Sequence, residues 1–238
     1  MTENQKTVVA ATTNEHKIAE IAATLAPLGY TVISRAAAGV PDFEVAESGT
    51  TFEENSLIKA LAIFEWLKGK AWTLADDSGI EVDELGGAPG VYSARFAGQE
   101  APGEYTASSD GDAADFAAAD LNAAQGHRGR QDRANNAKLL RLLEGKPTER
   151  RSARFISVIT CCRPGKEPLA VRGVVEGRVD FTETGTAGFG YDPLFIPKGY
   201  EYSFGLFRPE DKNAISHRGL ALARLADRLQ EERGINQC

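Results

Sequence analysis

Strand and helix signatures alternate through the first third of the chain, and this alternation restricts the fold more than any other feature. Thr7 to Ala11 is a short apolar run of the kind a buried strand requires. Asn14 follows as a helix cap, and Ile18, Ile21, Ala22 and Leu25 fall at the i, i+3, i+4, i+7 spacing of one helical face. Gly29 ends that helix and Tyr30 to Ile33 returns to extended structure. Thr51 and Glu54 then form a capping box ahead of an apolar face of Leu57, Ala60, Leu61 and Phe64. Trp72 to Ala75 is another short apolar run, closing at Asp76 and Asp77. Such a series predicts an α/β fold with helices packed on a sheet.

The stretch from Gln99 to Asp132 breaks the pattern. It is rich in Ala, Asp and Gly, and its large apolar residues are Tyr105, Phe116 and Leu121. A segment of this composition buries too little surface to offset its ordering entropy, so it reads as a surface insertion with a short helix around Asp112 to Ala124. A further helix is predicted over Asn135 to Leu143. Ser152 to Cys162 and Leu169 to Val175 read as an antiparallel pair turning at Pro164 and Gly165. A last helix carries Leu222, Leu225, Ala226 and Leu229 on one face. With no internal repeat and no clean linker, residues 1–238 are expected to form a single two-lobed domain.

Composition excludes several classes of function. A hydrophobic share of 42% and a charged share of 26% are ordinary for a globular protein. No apolar run approaches the roughly 20 residues of a membrane span, and the start of the chain lacks a signal peptide's basic and apolar regions, so a cytoplasmic protein is expected. Cys161, Cys162 and Cys238 suit neither a disulfide framework nor a zinc site; the adjacent pair should point to opposite faces of a strand as packed thiols. A net charge of −7 argues against binding nucleic-acid backbone, although a local basic pocket can still hold a nucleotide.

Four constellations can carry chemistry. In Thr12, Thr13, Asn14 and Lys17, hydroxyl and amide donors meet a helix start with a lysine in its first turn, which suits a polyphosphate; the same residues would also serve as a plain helix cap with a solvated lysine. Asp76 and Asp77 at the end of an apolar strand are costly to hold unless a cation pairs with them, and magnesium takes such carboxylates together with waters and phosphate oxygens; as an alternative, they are turn residues before Gly79. Glu47 offers a second carboxylate, and Lys59 on the following helix can reach a phosphate, although a capped amphipathic helix with a solvated face explains Glu53 and Glu54. The run GFGYDPLFIP holds Phe189, Gly190, Tyr191 and Asp192, and KNAISHRG holds Lys212, His217 and Arg218; aromatic faces beside cationic donors suit a stacked base and anionic groups.

Taken in order, TTNEHKIAEI, TFEENSLIKA, LADDSGIEVDELGGAPGVYSARFAG, GFGYDPLFIP and KNAISHRG resemble the segments of the inosine/xanthosine triphosphate pyrophosphatase family, over nearly all of Thr7 to Leu229. The resemblance implies a long twisted mixed sheet flanked by helices, in two lobes with a central nucleotide cleft. It also implies a homodimer, a requirement for Mg2+, and cleavage of purine triphosphates such as ITP, dITP and XTP to monophosphate and pyrophosphate. By position, Thr12 to Lys17 would hold the triphosphate, Asp77 would be general base and metal ligand with Glu47 as acidic partner, and Ser78 would touch substrate. Phe189 to Asp192, Lys212, His217 and Arg218 would surround the base. Other readings are a hydrolase of another modified or pyrimidine triphosphate, or a nucleotide-binding regulator without turnover. The chain departs from the family pattern at Leu206 and Phe207, where an acidic residue followed by Met or Leu is usual, and in the length of the insertion.

Overall fold

The computed structural model describes residues 6–99 and 123–235. Strands β1 (Lys6–Ala10), β2 (Tyr30–Ser34), β3 (Trp72–Val82), β4 (Ser152–Arg163), β5 (Lys166–Val179) and β6 (Phe195–Pro197) form one sheet in the order β2-β1-β3-β4-β5-β6. β1 runs parallel to both β2 and β3, and β6 is antiparallel to β5, so the sheet is mixed. The helices are α1 (Glu15–Leu25), α2 (Phe52–Trp66), α3 (Ala123–Leu142), α4 (Pro209–Ile215) and α5 (His217–Ile235). The predicted α/β class is the one observed.

The residues group into two compact units. The first contains Met1–Ser78, Phe155–Val175 and Pro209–Cys238. Its parallel β1–β3 pairing sets Ala10 opposite Leu74, and the Ala11 amide donates to the Leu74 carbonyl at 2.8 Å. One apolar cluster takes Val8, Leu74 and Cys161 with Ile21 and Leu25 of α1 and Leu222, Leu225 and Leu229 of α5. The other takes Val9, Ala75 and Cys162 with Ala60 and Ile63 of α2. Neighbouring strand residues thus serve opposite faces, as the strand period requires, and Cys161 and Cys162 are separated in the way the sequence predicts. Burial pushes the Cys161 thiol up to about 12, so it stays protonated. Gly173 of β5 lets the start of α5 come close: a Cβ there would collide with the His217 carbonyl and the Ala221 amide.

The second unit contains Gly79–Arg154 and Glu176–Arg208. Phe204 packs against Phe195 at 5.5 Å and edge-on to Phe207 at 5.3 Å, with Tyr200 and Tyr202 around Phe207. Phe207 is therefore a buried core residue, while Leu206 points outward at 56% exposure. The departure from the family pattern at these two positions leaves a filled aromatic cluster and one exposed leucine.

Two expectations are corrected. Asp76 and Asp77 lie within β3, not at its end or in a turn, because their charges are compensated by side chains from α1, α2 and α5 and the strand continues to Val82. The helix expected from Asn135 begins at Ala123, so the last ten residues of the supposed surface insertion are helical. Apolar periodicity does not mark that helix because polar side chains anchor it. Asn135 accepts from the Ala97 amide at 2.8 Å and donates to the Ser93 and Ala94 carbonyls at 3.2 Å. Residues 100–122, including most of the helix expected around Asp112 to Ala124, lie outside the described residues.

Candidate active site

In the first unit a buried charge network forms around Asp76. The loop after β1 begins α1 with Asn14 as cap: its side-chain oxygen accepts from the amides of His16 and Lys17, and Thr12 Oγ1 accepts from the Asn14 amide at 3.1 Å. Thr13 is exposed. This start sets Lys17 beside β3, where its ammonium lies 2.8 Å from Asp76 Oδ2 and donates to Ser78 Oγ at 3.1 Å. Arg218, at the start of α5, donates from Nε to Asp76 Oδ2 at 3.0 Å, from one terminal nitrogen to Glu20 at 2.6 Å, and from the other to Ser78 Oγ at 3.0 Å. Ser157 of β4 donates to Asp76 Oδ1 at 2.6 Å.

The electrostatics follow from burial and pairing. Burial alone would raise Asp76, but Arg218 and Lys17 outweigh it and hold the carboxyl well below the usual range. Burial lowers the Lys17 ammonium despite Asp76, and Arg218 and Lys59 push the same way. Burial would likewise lower Arg218, but Asp76 and Glu20 raise it further. The Arg218 guanidinium closes this network, since a charge removed from water needs opposite charges around it.

Asp77 points the other way along the same strand. Its Oδ1 lies 2.5 Å from the Lys59 ammonium, and Glu47 approaches that ammonium at 3.5 Å. The capping box that starts α2 sets Lys59 there: the Glu54 amide donates to Thr51 Oγ1 at 3.2 Å. Asp77 Oδ2 is buried and has no hydrogen-bond partner among the described residues. Burial raises the Asp77 carboxyl above the ordinary aspartate value, more than Lys59 lowers it. Glu44, the other acid considered in this loop, is exposed.

Lys212 of α4 and His217 are both buried. The His217 ring stacks on Phe155 at 4.6 Å, and its Nδ1 has no hydrogen-bond partner among the described residues. Burial, then Arg218 and Lys212, hold its imidazole well below the usual value, so it is neutral at pH 7.

In the second unit, Phe189 to Asp192 form a tight loop in which Phe189 lies between two left-handed glycines, Gly188 and Gly190. The Phe189 amide donates to Asp192 Oδ2 at 2.7 Å, and the Asp192 amide donates back to the Phe189 carbonyl at 3.2 Å. The Gly190 amide donates to Asp132 at 2.9 Å, and the Gly190 carbonyl accepts from Asn136 at 3.2 Å. Tyr191 turns inward and donates to the Ser93 carbonyl at 2.8 Å. Phe189 is half-buried, whereas Tyr191 and Asp192 are buried and use these polar atoms to shape the loop. Glu20, Ser157, Asp132 and Asn136 were not singled out from the sequence. Ser157 is a polar residue on a buried strand, a weak signal; the others look like ordinary helix polar residues.

The chain matches known proteins along almost its whole length. The profile of the Ham1 family covers residues 8–228. A dITP/XTP pyrophosphatase of Bacillus licheniformis is 42% identical, over 95% of this chain and 99% of that protein. One from Desulforamulus reducens is 44% identical, over 90% of this chain and 91% of that protein. Among solved structures, the Ham1 protein of Staphylococcus aureus superposes with a TM-score of 0.73 at 33% identity, covering 95% of this chain and all of that one (100%). With the family profile spanning the strands, the charge network and the aromatic loop, the chain belongs to the Ham1 family.

Proposed function

We propose that this chain hydrolyses deaminated purine nucleoside triphosphates, ITP, dITP and XTP, to the monophosphate and pyrophosphate. Its relatives in Bacillus and Desulforamulus carry the name dITP/XTP pyrophosphatase at more than 40% identity over nearly the whole chain. The observation that carries the chemistry is Asp77: a buried carboxylate with one oxygen on Lys59 and the other without a hydrogen-bond partner among the described residues. Such an oxygen is placed to take a proton from a water molecule.

In the reaction, the water oxygen bonds to the α-phosphorus, the bond to the α–β bridging oxygen breaks, and pyrophosphate leaves. The proton goes to Asp77 Oδ2. Burial raises the affinity of this carboxylate for a proton, which suits a base better than an ordinary aspartate would. Lys59, paired with the other oxygen, opposes that rise and favours the ionised form. Lys17 and Thr12 to Asn14 meet the charge that develops on pyrophosphate. Asp76 acts on Lys17, fixing its ammonium beside Ser78. Phe189 offers a stacking face for the base, and Lys212 and His217 offer polar contacts to it. Hypoxanthine and xanthine carry an acceptor oxygen at position 6 where adenine carries an amino donor. A protein donor aimed there would be left unsatisfied by adenine at a cost of about 1–3 kcal/mol.

The donor set fits magnesium. Asp77 and Glu47 converge on one ammonium, an oxygen of Asp77 lacks a partner, and no cluster of three or more metal-ligating side chains exists among the described residues. Magnesium is held by one or two carboxylates with waters and phosphates filling the rest. Asp77 and Glu47 would hold it. When bound, the ion neutralises phosphate charge and lowers the pKa of the attacking water.

We read residues 1–238 as a single NTP pyrophosphatase domain. We extend the reading to a cytoplasmic homodimer. No helix among the described residues is long and apolar enough to cross a membrane, and the buried protonated thiols suit a reducing compartment. A panel of ITP, dITP, XTP, ATP, GTP and dUTP with magnesium and pyrophosphate detection tests the activity. ITP, dITP and XTP should be cleaved well ahead of the rest. Preference for dUTP, or tight ITP binding without pyrophosphate release, would overturn it.

A further inference from the structure

Helix α3 holds both backbone polar groups of one loop residue. Asp132 and Asn136 lie one helical turn apart, so their side chains share a face. Asp132 accepts from the Gly190 amide at 2.9 Å, and Asn136 donates to the Gly190 carbonyl at 3.2 Å. The peptide units before and after the Gly190 Cα are each held by one of these bonds, so rotation about both of its backbone dihedrals is restricted. Gly190 sits at φ +61°, a left-handed conformation that the loop must hold against alternatives open to glycine. The loop's own bonds, between Phe189 and Asp192, fix it locally but do not tie it to the rest of the unit. Tyr191 provides one tie through the Ser93 carbonyl, and the α3 pair provides another, directly beside Phe189.

We propose that Asp132 and Asn136 are positioning residues for base recognition: by clamping Gly190 they fix the direction of the neighbouring Phe189 ring. The inference rests on the reading that Phe189 stacks on the purine. A ring held in its binding direction before the ligand arrives loses less entropy on binding. The clamp therefore acts on affinity and on the choice of base, and not on bond cleavage. It also explains why the polar face of α3 is built from residues with little apolar periodicity: two of them are committed to the loop.

Four variants in the full chain test this: Asp132→Ala, Asp132→Asn, Asn136→Leu and Phe189→Ala. Steady-state kinetics with ITP and ATP would be combined with hydrogen exchange at the Gly190 amide. Asp132→Ala should raise KM for ITP about tenfold with kcat within about twofold, reduce the preference for ITP over ATP, and speed exchange at Gly190. Asp132→Asn keeps an oxygen that accepts from Gly190 and should restore KM, preference and slow exchange. Asn136→Leu, which removes the other half of the clamp, should repeat the KM effect if Asp132→Ala folds poorly. Unchanged KM and preference in Asp132→Ala and Asn136→Leu, with Phe189→Ala still weakening ITP, would overturn the clamp and leave the stacking reading standing. Unchanged KM in Phe189→Ala would overturn both. A fall in kcat equal to the fall in kcat/KM in Asp132→Ala would also overturn the positioning role.

Discussion

Asp76 and Asp77 are adjacent in β3 yet belong to separate ion pairs: Asp76 lies on Lys17 and Arg218, Asp77 on Lys59. The strand period sends successive side chains to opposite faces. One carboxylate is thereby locked in a closed network, while the other keeps an oxygen without a hydrogen-bond partner among the described residues. The division separates an acid closed into ion pairs from the acid proposed as the base.

Asp77→Asn should abolish turnover, by at least about 10²–10⁴-fold in kcat, because the amide cannot accept the water's proton. Nucleotide affinity, measured by calorimetry with ITP and magnesium, should stay within a few-fold of the parent. Near-normal kcat would remove Asp77 from the role of base.

Asp76→Asn should destabilise the protein by about 3–5 kcal/mol, since it leaves Arg218 and Lys17 buried with their shared carboxylate gone. That corresponds to a loss of roughly 6–20 °C in Tm. The folded pKa of Asp76 is depressed, so its contribution is complete above the ordinary aspartate value and is lost as pH falls below it. Urea titrations of the parent should therefore show stability dropping through that acid range, and the variant should show a flatter dependence.

Lys59→Met should move the acid limb of the kcat profile to higher pH. Turnover needs ionised Asp77 and is lost as pH falls through its pKa. Burial already raises that pKa and Lys59 opposes the rise, so removing the lysine raises it further. An acid limb at the parent's position, measured at saturating magnesium, would show that Asp77 does not set it.

Chelation of divalent metal should stop turnover but change Tm by no more than a few degrees. Asp77 and Glu47 both approach the Lys59 ammonium, which offsets their charge when an ion leaves. Full activity in excess EDTA would refute the metal requirement.

Phe189→Ala should weaken ITP binding by about 1–3 kcal/mol, the range for a lost aromatic–base stack. Equilibrium titration under non-hydrolysing conditions, on the Asp77→Asn background, reads this directly.

Local chemistry made much of the molecule legible in the sequence. The apolar runs of β1 to β3, the Asn14 cap, the capping box of Thr51 and Glu54 and the stripe on α5 involve neighbours in the chain, and all are present. Helix α3 was read short because its anchors are polar atoms whose partners, Ala97, Ser93 and Gly190, lie 38 to 54 residues away. The charge network of Arg218 is not legible in the sequence for a similar reason: Asp76 and Glu20, which hold it, are 142 and 198 residues distant.

By itself the sequence determined the α/β class, the starts of α1 and α2, and which residue types gather in the motifs, because periodicity and capping act within one turn or one strand. Only the tertiary structure decided that Asp76 is neutralised while Asp77 keeps an oxygen without a hydrogen-bond partner among the described residues, that Arg218 closes a charge network, and that α3 grips Gly190. Those outcomes depend on which distant side chains meet a buried charge or a bare amide, and burial makes an unmet group costly.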